Sequence, residues 1–212
     1  MLLLSGVALS DLGAERLTTT QAIGVQERLE AEQRLSTLGY WTGPVDGAFD
    51  SGSRHALVAF QKVEGRKRTG NLTSDELEAL RIAVRPLPRH TGNAHVEIDL
   101  LRQVLFVVDD GDTVTHILPV CTGNEELYVD HGQVHRAHTP RGRFQLLRKI
   151  LGVRFSSLGL LYYPNYIYEG IAIHGSLAMK VYPASHGCIR IPMFAAKEFS
   201  KLVPLRTEVI VY

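Results

Sequence analysis

The sequence predicts a multidomain chain, a small all-α three-helix module followed by a mainly β domain. Two changes of texture carry that prediction. Apolar residues recur at helical spacing across residues 24–82, and from His95 to Tyr212 they alternate or run in short blocks bounded by turns. Between the two, "RPLPRHTGNA" at 85–94 has two prolines, a glycine and little to bury, so residues 83–94 read as a linker.

In "QERLEAEQRLSTLGYW", Leu29, Leu35 and Leu38 fall near helical spacing, and Gly39 is placed to end the helix in a left-handed conformation. "TGPVDGAFD" then reads as a turn built from Gly43, Pro44, Asp46 and Gly47. "SGSRHALVAFQKVEG" resumes the helical period through Ala56, Leu57, Ala59 and Phe60 and closes at Gly65. "NLTSDELEAL" starts a third helix, with Thr73 as N-cap three residues before Glu76. Leu35, Leu38, Leu57 and Phe60 form the expected core of a compact, marginal module.

The β half begins with "HVEIDLLRQVLFVV", which alternates and then runs apolar. "DDGD" at 109–112 is a hairpin turn and "TVTHILPV" alternates again. "GRFQLL", "GIAIHG", "CIRIP" and "TEVIVY" add strands, and "MFAAKEFSKLV" is a short helix before the last of them. Residues 1–23, beginning "MLLLSGVALS", read either as the tail of a trimmed export signal or as a disordered leader. No stretch is long and apolar enough for a transmembrane helix.

Composition narrows the function. With 23 basic and 22 acidic residues the formal charge is +1, which lacks the basic footprint of a nucleic-acid binder. Two cysteines cannot build a disulfide framework, and no C-x-x-C pair points to zinc or redox chemistry. One of the two, Cys188, stands in "YPASHGCIRIP" directly after His186 and Gly187, and His174 lies upstream in "IAIHGS". A thiol attacks as thiolate, so a useful cysteine needs a base to take its proton and backbone donors for the oxyanion. Glycine at 187 lets the chain turn so that the N–H groups of Gly187 and Cys188 point into one spot. The expected signature is a thiol with a depressed pKa. On residue types alone, an inert buried cysteine remains an equal alternative.

At these residues the chain resembles a known family. "IHGS…ASHGCIRI" looks like the signature of the L,D-transpeptidases, cysteine enzymes that cross-link bacterial peptidoglycan, and "TPRGRF" and "CTGN" are similar to two further segments of that family. The resemblance spans roughly residues 95–212. The helical module resembles a peptidoglycan-binding domain through "LGYWTGPVDGAFD", "ALVAFQ" and "GNLTSDELEAL". There, Tyr40, Trp41 and Phe49 either stack on sugar or seal the helix ends.

The resemblance implies that Cys188 attacks a tetrapeptide stem, releases the terminal D-alanine and passes the acyl group to an amine acceptor. His174 is then base and acid, its other ring nitrogen held by the Gly175 carbonyl. Gly187 and Cys188 supply the oxyanion N–H groups, with His186 shaping that hole. Ser185 fixes the turn, and Arg190 either meets a substrate carboxylate or braces the loop. Tyr166 belongs to a flap at 160–170 over the donor groove, and Cys121 is a tolerated small residue. No cofactor or metal is expected, and the histidines of "HGQVHRAH" read as a solvated loop. The partners implied are peptidoglycan stem peptides and glycan, handled by a monomer in an extracytoplasmic compartment, periplasm or cell wall. The alternatives are L,D-carboxypeptidase or D-amino acid exchange by the same chemistry, a non-catalytic wall-binding protein, and a cysteine endopeptidase, which the order of histidine before cysteine disfavours.

Overall fold

A computed structural model describes residues 23–212. The leader reading of residues 1–23 lies outside the described residues, Ile23 excepted. Three helices come first: α1 (Val25–Thr37), α2 (Ser51–Val63) and α3 (Ser74–Ile82). Each start has a local cause. The Glu27 carboxylate accepts from Gly24 N at 2.7 Å, Asp50 accepts from Gly52 N and Ser53 N, and Thr73 Oγ1 accepts from Glu76 N. Gly39 takes φ +95° just past α1, as expected of a left-handed terminator.

The turn between α1 and α2 is organised by a residue the apolar pattern gave no reason to single out. Glu32 is buried. Its Oε2 accepts from Asp46 N and Gly47 N, and its Oε1 accepts from Phe49 N and Ser53 Oγ, at 2.6–3.0 Å. Four donors offset the loss of hydration that burying a carboxylate entails.

The β half contains β1 (His95–Asp99), β2 (Val104–Val108), β3 (Val114–Pro119), β4 (Leu127–Asp130), β5 (Gln133–Arg136) and β6 (Gly142–Gln145). It continues with β7 (Arg148–Lys149), β8 (Val153–Ser156), β9 (Gly159–Tyr168), β10 (Ile171–Ser176), β11 (Ile189–Pro192), α4 (Met193–Leu202) and β12 (Glu208–Val211). One sheet has the order β3-β2-β1-β12-β6, with β1 and β12 parallel. A second runs β11-β10-β9-β7, with β8 also paired to β9 and β10 parallel to β11. β4 and β5 form a separate hairpin.

The apolar run of β2 now has a reason. Leu105 and Val107 face a core shared with Ile167, Ile173, Ile189, Ile191 and, from α4, Phe199. Val104, Phe106 and Val108 face the opposite way, into a core with Leu35, Leu57, Phe60 and Leu80 of the helices. A strand covered on both faces has no need of polar alternation. The helical module is therefore not a separate small globule: its core continues into the sheet.

The joint is also hydrogen-bonded. Ile117 N donates to Gly39 O and Trp41 N to Ile117 O, so residues 39–41 lie along the otherwise open edge of β3. Tyr40 and Phe49 are buried, and the Trp41 ring sits 4.5 Å from that of His116, so these rings seal the joint. The segment 83–94 is irregular but pinned, through Arg85 to Val114 O and through Arg89 N and His90 N to the buried Glu97 carboxylate.

Lys62 crosses this joint. It is 2% exposed, and its Nζ donates to Gln103 O at 3.0 Å and Val120 O at 2.9 Å. Burial, reinforced by Arg68, pushes its ammonium down to about 7. An unfolded lysine keeps its proton to roughly pH 10.4, so between pH 7 and that value the unfolded chain binds more protons than the native one. Stability contributed at this position therefore rises with pH across that window. Urea melts are expected to show wild type gaining on Lys62→Met from pH 7 to 10, by up to about 1.4 kcal/mol per pH unit. A pH-independent difference would mean that the ammonium is not desolvated.

Candidate active site

β10 and β11 lie side by side and parallel, with His174 opposite Arg190, so the segment "ASHGC" that enters β11 arrives beside the histidine strand. Both open into one cleft of about 630 Å³, whose walls include Tyr128, Leu161, Tyr166, His174, His186 and Cys188.

The turn carrying the cysteine is held from several sides. Ser185 Oγ donates to Cys188 O at 2.6 Å and accepts from Gly187 N at 3.0 Å. Thr139 Oγ1 donates to Gly187 O at 2.6 Å and accepts from Gly123 N. Thr122 O accepts from both Ala184 N and Ser185 N, while Cys121 and Arg190 exchange backbone bonds. Gly187 adopts φ +129°, and a Cβ there would stand 2.7 Å from His138 O. Only glycine fits that approach without displacing backbone.

This arrangement corrects one expectation. The Gly187 N–H points back to the Ser185 hydroxyl and is not free for an oxyanion. Among the described residues the Cys188 N–H has no such partner and is the donor the turn leaves available.

His174 is 5% exposed and its Nδ1 lies 2.9 Å from Gly175 O. A carbonyl only accepts, so Nδ1 carries the proton and Nε2 is left with its lone pair. Burial holds the imidazole down to about 4, against the Gly175 bond, which favours the charged form.

Cys188 is half-buried, with Sγ 3.8 Å from Gly170 O. Burial pushes its thiol up, and the Ala172 N–H and the Arg190 charge pull the other way without prevailing. The expected depressed thiol pKa is therefore not found. Both shifts favour a neutral thiol and a neutral imidazole in the one cleft, because each charged form has lost water without gaining a full counter-charge.

Arg190 reaches the carbonyls of Ala178 and Ala184 at 3.5 and 3.3 Å, which makes it a brace across the single connection between β10 and β11. Tyr166 is buried in the cleft wall with Leu161 and Ala172, beside Cys188, and the Arg148 guanidinium stacks on its ring at 4.2 Å. Cys121 is fully buried.

Two segments differ from expectation. Residues 160–170 are not a flap. Nearly all of them belong to β9, the strand paired with β10, β7 and β8, and what projects beside the cleft is the β8–β9 tip at Ser156–Gly159. Residues 131–138 are half strand: Gln133–Arg136 form β5. The three histidines diverge, His131 toward Asp130, His135 onto the Tyr128 ring and His138 to Glu125 at 2.8 Å.

Tyr128 and Thr139 escaped sequence reasoning. The Tyr128 ring meets His186 edge-on at 4.6 Å, yet "ELYVD" carries no motif. Thr139 sits in "TPRGRF", a segment the family pattern marks without showing that its hydroxyl clasps the cysteine turn.

The profile of the L,D-transpeptidase catalytic domain (YkuD) matches residues 93–211, and that of a peptidoglycan binding domain matches residues 25–80. The L,D-transpeptidase (residues 123–326) from Xylanimonas cellulosilytica DSM 15894 is 38% identical, with a TM-score of 0.83 over 88% of this chain and 93% of that one. An L,D-transpeptidase from Stackebrandtia nassauensis, 21% identical over 88% of this chain and 91% of that one, shares the fold at a TM-score of 0.50. A search of curated proteins found no match. The chain belongs to the L,D-transpeptidase family and carries a peptidoglycan-binding domain at its N-terminal side.

Gly187 provides a test of the turn. Gly187→Ala is expected to cost about 3 kcal/mol or more, since a left-handed strain of about 1–3 kcal/mol adds to a backbone collision. Gly65→Ala, also at positive φ but with nothing within 4 Å of the added carbon, isolates the strain and is expected to lose only about 1–2 kcal/mol. Equal losses in parallel urea melts would remove the case for close approach at Gly187.

Proposed function

We propose that the protein is a peptidoglycan L,D-transpeptidase that forms an acyl-enzyme on Cys188. One observation carries this reading: His174 and Cys188 line the same cleft, and commitment of His174 Nδ1 to Gly175 O leaves Nε2 as the nitrogen with a lone pair.

A carbonyl of the donor stem, between an L-centre and the terminal D-alanine, enters beside Cys188. Because the resting pair is neutral, the thiol proton passes to His174 Nε2 as the S–C bond forms. The carbonyl oxygen gains the electron pair and is met by the Cys188 N–H. The C–N bond then breaks, His174 returns the proton to the departing amine, and D-alanine leaves. An acceptor amine attacks the thioester, giving a proton to His174 as the new C–N bond forms. The sulfur departs and recovers that proton as a thiol. Gly175 O stabilises the transient imidazolium in the place where other triads hold a carboxylate.

Arg190 and Ser185 act here as positioning groups. The helical module holds the enzyme to the polymer whose stems it joins, which sets the site of action outside the cytoplasm. Incubation with a disaccharide tetrapeptide, read by product mass, tests the assignment. Cross-linked dimer supports transfer, and tripeptide or an exchanged stem shows water or a free D-amino acid as acceptor. No loss of D-alanine, or turnover that survives Cys188→Ala, refutes the reading.

The depressed imidazole also sets a pH profile. The base must be neutral, so kcat/KM for the first half-reaction is expected to hold through pH 5–6 and fall with an acid limb near the His174 value of about 4. A limb at the ordinary imidazole value of roughly 6.5 would show that His174 is solvated or is not the base.

A further inference from the structure

The cleft contains two arginines that the proposed chemistry leaves without a task. β9 is bulged at Tyr163, which takes φ +47°, and the pairing with β10 slips there: Ile173 opposes Asn165 whereas Gly175 opposes Tyr162. A bulge inserts one residue and resets the alternation of faces. Leu161 and Tyr166, five apart and on opposite faces of a regular strand, therefore share the cleft face with Ala172 and pack next to Cys188. Their direct cross-strand partners are arginines, Arg154 opposite Leu161 and Arg148 opposite Tyr166. Directly opposed residues of an antiparallel pair stand on the same face. Both guanidiniums thus flank the cleft.

Many other arginines of this protein have partners, and among the described residues those that lack one, such as the exposed Arg54, Arg141 and Arg206, do not line the cleft. Arg66, Arg81, Arg102, Arg136 and Arg143 pair with carboxylates, and Arg190 is bound to carbonyl oxygens. Among the described residues Arg154 has no carboxylate or carbonyl partner, and Arg148 has only the Tyr166 ring beneath it. A guanidinium stacked on an aromatic face keeps its N–H edge free. Glu169 is the one acidic residue on the cleft wall, against Arg148, Arg154 and Arg190.

We infer that Arg148 and Arg154 form an anion subsite that selects acyl donors carrying free carboxylates over the corresponding carboxamides. The inference rests on the acyl-transfer reading of the cleft. A planar fork suits a carboxylate, to which it donates two parallel hydrogen bonds, and gains nothing comparable from a neutral amide. The carboxylate has two sources in a stem peptide, the terminal D-alanine or an acidic residue upstream of the scissile bond.

Calorimetry on the full chain with Cys188→Ala separates recognition from turnover. The probes are a synthetic N-acetyl tetrapeptide with an upstream glutamyl residue and a lysyl-D-alanine end, its glutaminyl counterpart, and its C-terminal amide. The expected result is that one amide binds about tenfold more weakly than the parent, which identifies the carboxylate held. Adding Arg148→Gln and Arg154→Gln is expected to bring parent and amide within about twofold of each other, at unchanged melting temperature. High salt is expected to shrink the difference in the same direction. Equal affinity for all three peptides, or a preference that persists in the double variant, overturns the inference. Loss of D-alanine from the parent peptide, followed separately on the wild-type enzyme, tests the acyl-transfer reading by itself. Binding without turnover refutes that reading and leaves the subsite standing.

Discussion

β2 has no solvent face. Five consecutive apolar residues, Val104–Val108, send alternate side chains into two cores, one beneath the catalytic sheets and one among the N-terminal helices. From that constraint follows the way the two sequence families meet in one body. The helices cannot drift from the sheet without exposing Val104, Phe106 and Val108, and at about 25 cal/mol per Å2 of apolar area that exposure is costly. Lys62 and the Gly39–Ile117 bonds work within this packing, placing polar contacts at positions the buried faces already define. The order of contacts then leads toward the chemistry. Gln103, whose carbonyl Lys62 holds, bonds the backbone and hydroxyl of Thr122, and the Thr122 carbonyl holds the segment leading to Cys188.

Desolvation decides the electrostatics of the cleft. Around Cys188 it outweighs the Ala172 N–H and the Arg190 charge, and around His174 it acts together with the Arg190 charge against the Gly175 bond, so both groups rest uncharged. An ion pair formed in advance would give a nucleophile reactive toward any electrophile. In the reaction proposed for this cleft, a neutral pair would become nucleophilic only when a bound carbonyl and the Cys188 N–H are in place to receive the developing charge, which would couple reactivity to occupancy of the cleft.

Much of this was legible in the chain. The helical period, the Thr73 cap, the Gly39 terminator and the strand texture after His95 are local properties, set by side-chain spacing and backbone sterics, and the folded chain has them. The residues of the motif at 174–190, close in sequence, also lie on two neighbouring strands and line one cleft in the folded chain. What stayed hidden depends on distance in sequence. Thr139 meets Gly187 across 48 positions, and Tyr128 meets His186 through a hairpin whose exposed Leu127, Val129 and Val134 carry no burial signal. The aromatic run at 160–170 looked like a mobile cover because its polarity suited a loop. The Tyr163 bulge explains that composition, since it turns successive tyrosines toward core and cleft in an order that simple alternation does not predict. The use of the Gly187 N–H by Ser185 was likewise beyond spacing, because a short motif does not say which of its own donors it consumes.

The strip of backbone at residues 39–41 has one more implication. β3 is a terminal strand of its sheet, and bare terminal strands invite other chains to pair with them. Here a piece of the wall-binding module occupies that position, so the module also serves as a guard for the catalytic half. Separating the two parts would uncover the backbone donors and acceptors of β3 that residues 39–41 now satisfy, together with the apolar face of β2.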